Sequence, residues 1–269
     1  MLSGSGEIAL RRLEAALWAR TKKFGERKEE LMFEAVFFDL DGTLLPMDQD
    51  AFVEGYFGLL AGKMAPYGYE PHKLIQSVWA GTKAMVQNDG SCRNEEAFWR
   101  VFLGVYGETA RAHIPVFEEF YAKEFQQAKI LCGFNPRAAE TVRLAKSMGC
   151  RVILATNPLF PSVATESRIR WAGLSPEEFE LYTTYENSST CKPNPAYYRE
   201  ILTKCGLDAR DCLMVGNDVG EDMIAETLGM QTFLLTDCLI NRRNEDIDRW
   251  RHGGFAELQD CLRKCAAGA

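Results

Sequence analysis

Histidine is scarce in this sequence: only His72, His113 and His252 occur among 269 residues, and they stand far apart. This argues against a histidine-based metal site and against a Ser-His-Asp catalytic triad. Long apolar runs are also missing, since no stretch approaches the ~18 consecutive apolar residues that a membrane-spanning helix requires. The first residues lack the charged and then apolar pattern of a secretory signal peptide. We therefore expect a cytoplasmic protein.

The sequence also has no excess of basic residues and no closely paired cysteine motif. Its formal net charge is −7, with 31 Lys and Arg against 38 Asp and Glu, so we expect neither nucleic acid nor a membrane as a partner. The nine cysteines are odd in number and form no C-x-x-C motif. Cys261 and Cys265 stand four residues apart, but no second pair completes a zinc site. Free thiols in a reducing compartment are the expected state.

Runs of β-forming residues alternate along the chain with helical patterns. The predicted strands are FEAVFFDL at 33–40, RVILAT at 151–156, LYTT at 181–184, CLMVGN at 212–217 and TFLLT at 232–236. Strands separated by helices predict an α/β fold, a Rossmann-like three-layer core with a central parallel sheet and right-handed crossovers. Residues 253–258 (GGFAEL) are expected to form a turn and the start of the last helix.

Between the first two strands the pattern changes, and apolar residues recur at helical spacing over about residues 48–129. This predicts an all-helical insert of about four helices, whose aromatic residues are expected to form its own core. These aromatics are Phe52, Phe57, Trp79, Phe98, Trp99, Phe102, Phe117 and Phe120. The chain would then consist of an N-terminal helical arm at 1–31, a core at 32–47 and 130–269, and a helical cap domain at 48–129.

Polar side chains stand at the ends of the predicted strands. Asp39 and Asp41 follow the first strand and would point to the same side of an extended chain. Like charges this close repel and are costly to bury, so a cation is expected nearby. Ligands of parallel sheets bind beyond the carboxyl ends of the strands. The other polar candidates there are Thr43, Thr156, Asn157, Lys192, Asp218 and Asp222.

This set of groups suits phosphoryl transfer. Hard oxygen ligands favour Mg²⁺, which binds one or two carboxylates, waters and a substrate phosphate. A carboxylate can attack phosphorus to form an aspartyl-phosphate, and a second carboxyl group can donate a proton to the leaving oxygen. A lysine and a threonine can hold the charged phosphoryl oxygens.

Four segments resemble the motifs of the haloacid dehalogenase (HAD) superfamily of phosphohydrolases. They are FDLDGTL at 38–44, ATN at 155–157, KPNPAYY at 192–198 and GNDVGED at 216–222. Their order and spacing match over about residues 34–236. The helical insert falls between the first and second motifs, where one branch of the superfamily carries a helical cap.

The resemblance implies a role for each matching residue. Asp39 would be the nucleophile and also a Mg²⁺ ligand. Asp41 would act as general acid and then as general base, with its backbone carbonyl on the metal. Thr156 would donate a hydrogen bond to the phosphoryl group, and Lys192 would neutralise both Asp39 and the phosphate.

The fourth motif supplies the remaining metal ligands by the same resemblance. Asp218 would bind Mg²⁺ directly, and Asp222 would support the metal shell or its waters. Thr43 and Asn157 are candidate substrate-binding residues. This chain departs from the family pattern in one place, because Asn217 stands between the glycine and the aspartate of a motif that often reads Gly-Asp.

The implied function is a Mg²⁺-dependent phosphatase of a small phosphorylated metabolite, working through an aspartyl-phosphate. A phosphomutase is an alternative because it uses the same two acids. A non-catalytic ligand-binding protein of this fold is a second alternative. Dehalogenation is disfavoured, since the general acid at Asp41 would be superfluous for halide release. Phosphonate cleavage would need a Schiff-base lysine, for which nothing marks Lys63 or Lys83. The substrate is not specified by the sequence, and the protein is expected to be a monomer or a homodimer.

Overall fold

A six-stranded parallel sheet runs through the computed structural model, which describes residues 33–266 without the side chains of the last two. Its strands lie in the spatial order β3-β2-β1-β4-β5-β6. They are β1 Ala35–Phe38, β2 Arg151–Leu154, β3 Leu181–Tyr182, β4 Cys212–Gly216, β5 Gln231–Leu235 and β6 Arg251–Gly253. The predicted α/β fold with a central parallel sheet is therefore confirmed. The arm predicted at 1–31 lies outside the described residues.

Helices cover the sheet. Other helices make up most of the segment between β1 and α5, the helix that precedes β2. The α-helices are α1 Gln49–Met64, α2 Pro71–Val86, α3 Asn94–Tyr106, α4 Ile114–Ala122, α5 Pro136–Ser147, α6 Ser162–Trp171, α7 Pro195–Cys205 and α8 Phe255–Ala266. Short 3₁₀ helices lie at Ala65–Tyr67, Glu108–His113, Glu124–Leu131, Pro176–Glu178, Ala209–Asp211, Met223–Leu228 and Ile247–Arg249. The side chain of Asn194 begins α7 by accepting a hydrogen bond from the backbone N–H of Ala196, which fixes the chain just after Lys192.

Side chains of β1 point alternately into two apolar layers, since successive residues of a strand face opposite sides. Val36 and Phe38 pack in the layer that includes α5 and α8, whereas Ala35 and Phe37 pack in the layer that includes α7. All four are fully buried. A strand buried on both faces needs a continuous apolar run, which is the pattern that made β1 recognisable in the sequence.

The edge strand β6 is not predicted by the sequence. It pairs with β5 in parallel register, from Phe233 opposite Arg251 to Leu235 opposite Gly253. Its three residues are Arg, His and Gly, none of which favours a strand, and all are at least partly exposed. The expected turn at 253–258 therefore begins inside a strand, and the last helix starts at Phe255.

Within residues 33–266, no helix is both long enough and apolar enough to cross a membrane. The eight cysteines whose side chains are described are free thiols, of which Cys150, Cys191 and Cys212 are buried.

Residues 49–131, which we call the helical insert, contain α1 to α4. Most of their aromatic side chains are buried, and Phe102 and Phe120 have no exposed surface. Trp79 is an exception, since 51% of it is exposed. The helices fall where the sequence predicts them, and the boundaries of a cap domain at 48–129 stay a prediction.

The insert joins the rest of the protein through two chain segments that pair with each other. Met47 and Cys132 form an antiparallel bridge, and the backbone N–H of Gly133 donates to the carbonyl of Pro46 at 2.7 Å. We call these four residues the hinge pair. The chain segment that enters the insert and the segment that leaves it are therefore hydrogen-bonded to each other and form a single attachment.

A second attachment lies at the beginning of α3. Asn94 is fully buried, and its side-chain amide donates to the carbonyl oxygens of Pro158 at 3.4 Å and Thr190 at 3.3 Å. Its backbone N–H donates to the carbonyl of Ser188 at 2.9 Å. Pro158 directly follows the second motif and Thr190 shortly precedes the third, so α3 is fastened to the loops that carry site candidates.

Candidate active site

The carboxyl ends of three neighbouring strands form the base of the site, because β1 pairs with β2 on one side and with β4 on the other. Asp39 directly follows β1, Thr156 comes two residues after β2, and Asp218 comes two residues after β4. Lys192 reaches the same edge from the loop before α7. The fold therefore brings candidates from all four motifs to one edge of the sheet.

Lys192 connects the first and fourth motifs. Its side chain is 1% exposed, and its ammonium donates to Asp39 Oδ1 at 2.8 Å and to Asp222 Oδ1 at 2.6 Å. Burial alone would lower the pKa of Lys192, but the charges of Asp222 and Asp39 outweigh it and hold this pKa well above its usual value. A buried cation thus compensates part of the negative charge that the sequence places at this edge.

Asp222 is engaged through both carboxylate oxygens. Its Oδ2 accepts from the backbone N–H of Asp218 at 3.0 Å, while Oδ1 accepts from Lys192. Burial raises the pKa of Asp222, and the positive charge of Lys192 opposes this rise. Gly216 is required beside it, because a Cβ at that position would overlap the Asp222 carboxylate. Asp222 therefore orients Lys192 and the chain that carries Asp218.

The turn after β1 depends on a glycine and on the unusual asparagine of the fourth motif. Gly42 has φ +83°, and a Cβ there would overlap the side-chain amide of Asn217. The Thr43 hydroxyl lies within donating distance of Asp39 Oδ2 (3.1 Å) and of Asn217 Oδ1 (2.9 Å). Asn217 also donates to the carbonyl of Cys238 at 2.7 Å. The departure from the family pattern therefore has a structural use, since Asn217 supports the turn that carries Asp39.

Asp41 faces a different cation, Arg168 of α6. Arg168 has no exposed surface, and its guanidinium forms an ion pair with Asp41 Oδ2. The guanidinium carbon lies 4.3 Å from the centre of the Phe160 ring. Asp41 Oδ1 is buried and has no hydrogen-bond partner among the described residues. One oxygen of this carboxyl group is therefore anchored by Arg168, and the other has no partner in the described part of the chain.

The pKa of Asp41 is raised above its usual value. Burial is the main cause, the charge of Arg168 opposes it, and the nearby charge of Asp39 adds to it. Asp39 and Asp41 are two residues apart, yet each contacts a cation of its own. Two acids in different surroundings can take different parts in one reaction.

Sequence reasoning missed Arg168. Its neighbour Arg170 is exposed on the same helix. Because both residues are arginines, the residue type does not distinguish the buried one from the exposed one. The available signal is the position, because Arg168 falls four residues after Ala164 and four before Ala172, and all three are fully buried. A charged residue on an apolar stripe of a helix needs a buried partner.

The second motif contacts a further acid to which no role was given. The side-chain amide of Asn157 donates to Glu221 Oε2 at 3.0 Å, and its Oδ1 is buried without a partner in the described chain. Burial raises the pKa of Glu221, and Lys192 opposes the rise. The carbonyl of Thr156 accepts from Thr183 Oγ1 at 2.6 Å and Tyr197 Oη at 2.8 Å, which fixes the end of β2.

A family model described as haloacid dehalogenase-like hydrolase matches residues 33–225, well over half of the chain. The chain belongs to this family. The predicted family and the prediction of a HAD-like hydrolase enzyme are thus confirmed. The matched residues include all four motifs and the whole helical insert.

Named relatives of this HAD-like hydrolase include phosphatases. Phosphoglycolate phosphatase of Neisseria gonorrhoeae is 26% identical over 201 residues, which cover 73% of this chain and 77% of the relative. Phosphoglycolate phosphatase 1 of Pseudomonas aeruginosa is 24% identical over 213 residues, which cover 75% of this chain and 68% of the relative. A solved structure, 2-haloacid dehalogenase from Pseudomonas syringae pv. Tomato, aligns with a TM-score of 0.57 at 18% identity, covering 86% of this chain and 99% of that one. The structural likeness shows the fold alone.

Proposed function

We propose that this HAD-like hydrolase is a phosphoric monoester hydrolase that cleaves a small phosphorylated metabolite through an aspartyl-phosphate on Asp39. The observation that carries the proposal is the separation of two neighbouring acids, with Asp39 on Lys192 and Asp41 on Arg168. A paired carboxylate can act as the nucleophile, while a carboxyl group of raised pKa can act as the acid. The relatives named phosphoglycolate phosphatase support the same class of reaction.

The reaction consists of two displacements at phosphorus. An oxygen of Asp39 attacks phosphorus, the bond to the ester oxygen breaks, and this oxygen takes the proton of Asp41. Water then attacks the phosphorus of the aspartyl-phosphate and gives a proton to Asp41, while the bond between phosphorus and the Asp39 oxygen breaks. Inorganic phosphate leaves, and both acids return to their starting states. Lys192 and the Thr156 hydroxyl stabilise the charge on the phosphoryl oxygens during both steps.

Magnesium fits the oxygen donors at this edge of the sheet. Within residues 33–266, no three His, Cys, Asp or Glu side chains converge to hold a metal ion by themselves. Mg²⁺ does not require such a cage, because it binds one or two carboxylates and completes its shell with water and phosphate oxygens. The side chains of Asp39 and Asp218 and the carbonyl of Asp41 would hold it, with Asp222 in support. When bound, the ion would supply positive charge to the transferred phosphoryl group.

The proposal is tested by assaying the purified protein against a panel of phosphorylated metabolites and an aryl phosphate, with and without Mg²⁺. Activity should vanish with a chelator and return with Mg²⁺. Ca²⁺ should support it poorly, because it prefers a larger and looser shell than an in-line transfer tolerates. Full activity in the chelator would remove the metal from the proposal. Failure to hydrolyse any phosphate ester under all conditions would exclude the phosphatase.

Arg168→Met should partly impair the proton transfer by Asp41. Without its anchor, Asp41 delivers the proton less well, so we expect kcat on alkyl phosphates to fall by about 10²-fold. The loss should be smaller for aryl phosphates, whose leaving groups depart without a proton. In the double variant with Asp41→Asn, the two effects should not add, because both act on the same proton transfer. The measurement is a set of steady-state rates for alkyl and aryl phosphates with different leaving groups.

The matched control for this prediction is Arg170→Met, which removes an exposed arginine from the same helix. It should leave the dependence on the leaving group unchanged. If Arg168→Met slows aryl and alkyl phosphates equally, or if its loss adds fully to that of Asp41→Asn, then Arg168 supports only the structure.

A further inference from the structure

An aromatic pocket of about 140 Å³ lies between the helical insert and the loop that follows the second motif. Its volume is close to that of engineered apolar cavities of about 150 Å³ that bind benzene. The aromatic side chains that define it best are Tyr56, Phe57, Trp99 and Tyr121 of the insert with Phe160 and Tyr185 of the core. The pocket is thus large enough for one ring and is built from both parts of the chain.

The walls of the pocket are mostly apolar, and all but one of the polar side chains that line it are uncharged. The hydroxyls of Tyr56 and Tyr121 form a hydrogen bond of 2.8 Å with each other. Burial raises the pKa of Tyr56 to about 12 and holds the pKa of Tyr121 well above its usual value, so both stay neutral at physiological pH. Among the described residues that line the pocket, the only charged one is Glu118, which is exposed. None of the lining residues is a cation, and the nearby Arg168 is already paired with Asp41, so an anionic group would find no unpaired counter-charge there and would meet the Glu118 carboxylate.

Phe160 places the pocket beside the reacting groups. Its ring forms part of the wall, and the guanidinium of Arg168 lies 4.3 Å from the ring centre. Arg168 in turn holds Asp41, which would protonate the leaving oxygen. The ring of Tyr56, which also lines the pocket, lies 5.5 Å from that of Phe160. The wall of the pocket at Phe160 is thus linked to Asp41 through a single residue, Arg168.

We propose that the pocket holds the leaving group of the substrate, and that this group is an uncharged aromatic or branched aliphatic alcohol of about one ring in size. The inference rests on the proposed phosphatase function and names its class of substrate. It separates this chain from the relatives named phosphoglycolate phosphatase, because the leaving group of phosphoglycolate carries a carboxylate. A charged leaving group has no partner in this pocket, whereas a benzyl group matches its size and polarity.

Three phosphate esters test the substrate class: benzyl phosphate, ethyl phosphate and 2-phosphoglycolate. We expect kcat/KM for benzyl phosphate to exceed that for ethyl phosphate by about tenfold or more, since apolar contacts in a pocket give discrimination of this size. It should also exceed that for 2-phosphoglycolate. A benzyl-to-ethyl ratio near one, or a preference for 2-phosphoglycolate, would overturn the proposal.

A pair of variants on one helix tests the location. Val78 lines the pocket, whereas Val86 lies at the end of the same helix, is 40% exposed and is not part of the lining. Val78→Phe fills the pocket and should reduce the benzyl-to-ethyl ratio at least fivefold, while Val86→Phe should keep it. Equal ratios in the two variants would overturn the location, provided that thermal unfolding shows both to be folded.

Binding of benzyl alcohol separates this inference from the proposed function. Ligand-observed NMR on the wild type and on both valine variants requires no catalysis. Binding that is lost in Val78→Phe and kept in Val86→Phe supports the pocket, even if no phosphate ester were hydrolysed. Absence of binding to the wild type, in a protein that does hydrolyse phosphate esters, would overturn the pocket and leave the phosphatase in place.

Discussion

Asp39→Asn is expected to abolish turnover, with kcat lower by on the order of 10⁶-fold, as is typical when a nucleophile is removed. The amide cannot attack phosphorus, so no phosphoenzyme should form. The fold should persist, because asparagine has the same shape and Lys192 keeps its second partner, Asp222. Rapid quenching, with trapping of acid-stable and hydroxylamine-labile phosphate on the protein, makes the measurement beside steady-state assays.

A matched control for Asp39→Asn is Asp211→Asn. Asp211 is exposed and lies just before β4, at the opposite end of the sheet from the candidate site. This variant should turn over and trap phosphate like the wild type. Phosphate trapped on Asp39→Asn at the wild-type level would show that another residue is the nucleophile.

Lys192→Met is expected to lower both activity and stability. The change leaves Asp39 and Asp222, with side chains 10% and 1% exposed, without their shared cation. Breaking a buried ion pair by removing one partner typically costs about 3–5 kcal/mol of the free energy of unfolding. The loss of positive charge at the phosphoryl group should lower kcat by about 10²–10³-fold or more. Urea unfolding followed by circular dichroism gives the first quantity, and phosphatase assays give the second.

The double variant Lys192→Met/Asp222→Asn distinguishes the two effects. It removes one of the uncompensated charges, so part of the stability should return while activity stays low. Lys204→Met is the control, since Lys204 forms an ion pair with Glu200 at 2.9 Å with its side chain 30% exposed, and such pairs contribute at most about 1 kcal/mol. If Lys192→Met were as stable as this control, Lys192 would not be holding two buried carboxylates together.

The sequence predicts those parts of the fold whose signal is local. Central strands buried on both faces appear as apolar runs, and β1 and β4 are examples in which every residue is buried. The strand β6 has no such signal, because it is three residues long and lies at an edge. Its assignment as a strand comes from its parallel pairing with β5 in the described structure, which is a tertiary contact and leaves no local pattern.

The same distinction applies to the candidate site. Asp39 and Asp41 could be found because they stand together at the end of an apolar run, and Lys192 because it precedes a predicted helix in a recognisable motif. Arg168 is 127 residues away from Asp41 along the chain, and only the fold brings them together. The position of Arg168 on an apolar stripe indicates a buried partner, but a single sequence does not indicate that this partner is Asp41.

The attachment of α3 through Asn94 has a kinetic consequence. Any movement of α3 away from the loops around the second and third motifs must break the hydrogen bonds of Asn94 to Pro158, Thr190 and Ser188. Each such bond contributes on the order of 1 kcal/mol net, and together they slow opening, while the hinge pair can stay intact. If the proposed reaction takes place here, we expect the residence time of its product to depend on the loops around the second and third motifs. In the proposed reaction we expect the same bonds to limit the access of bulk water to the aspartyl-phosphate.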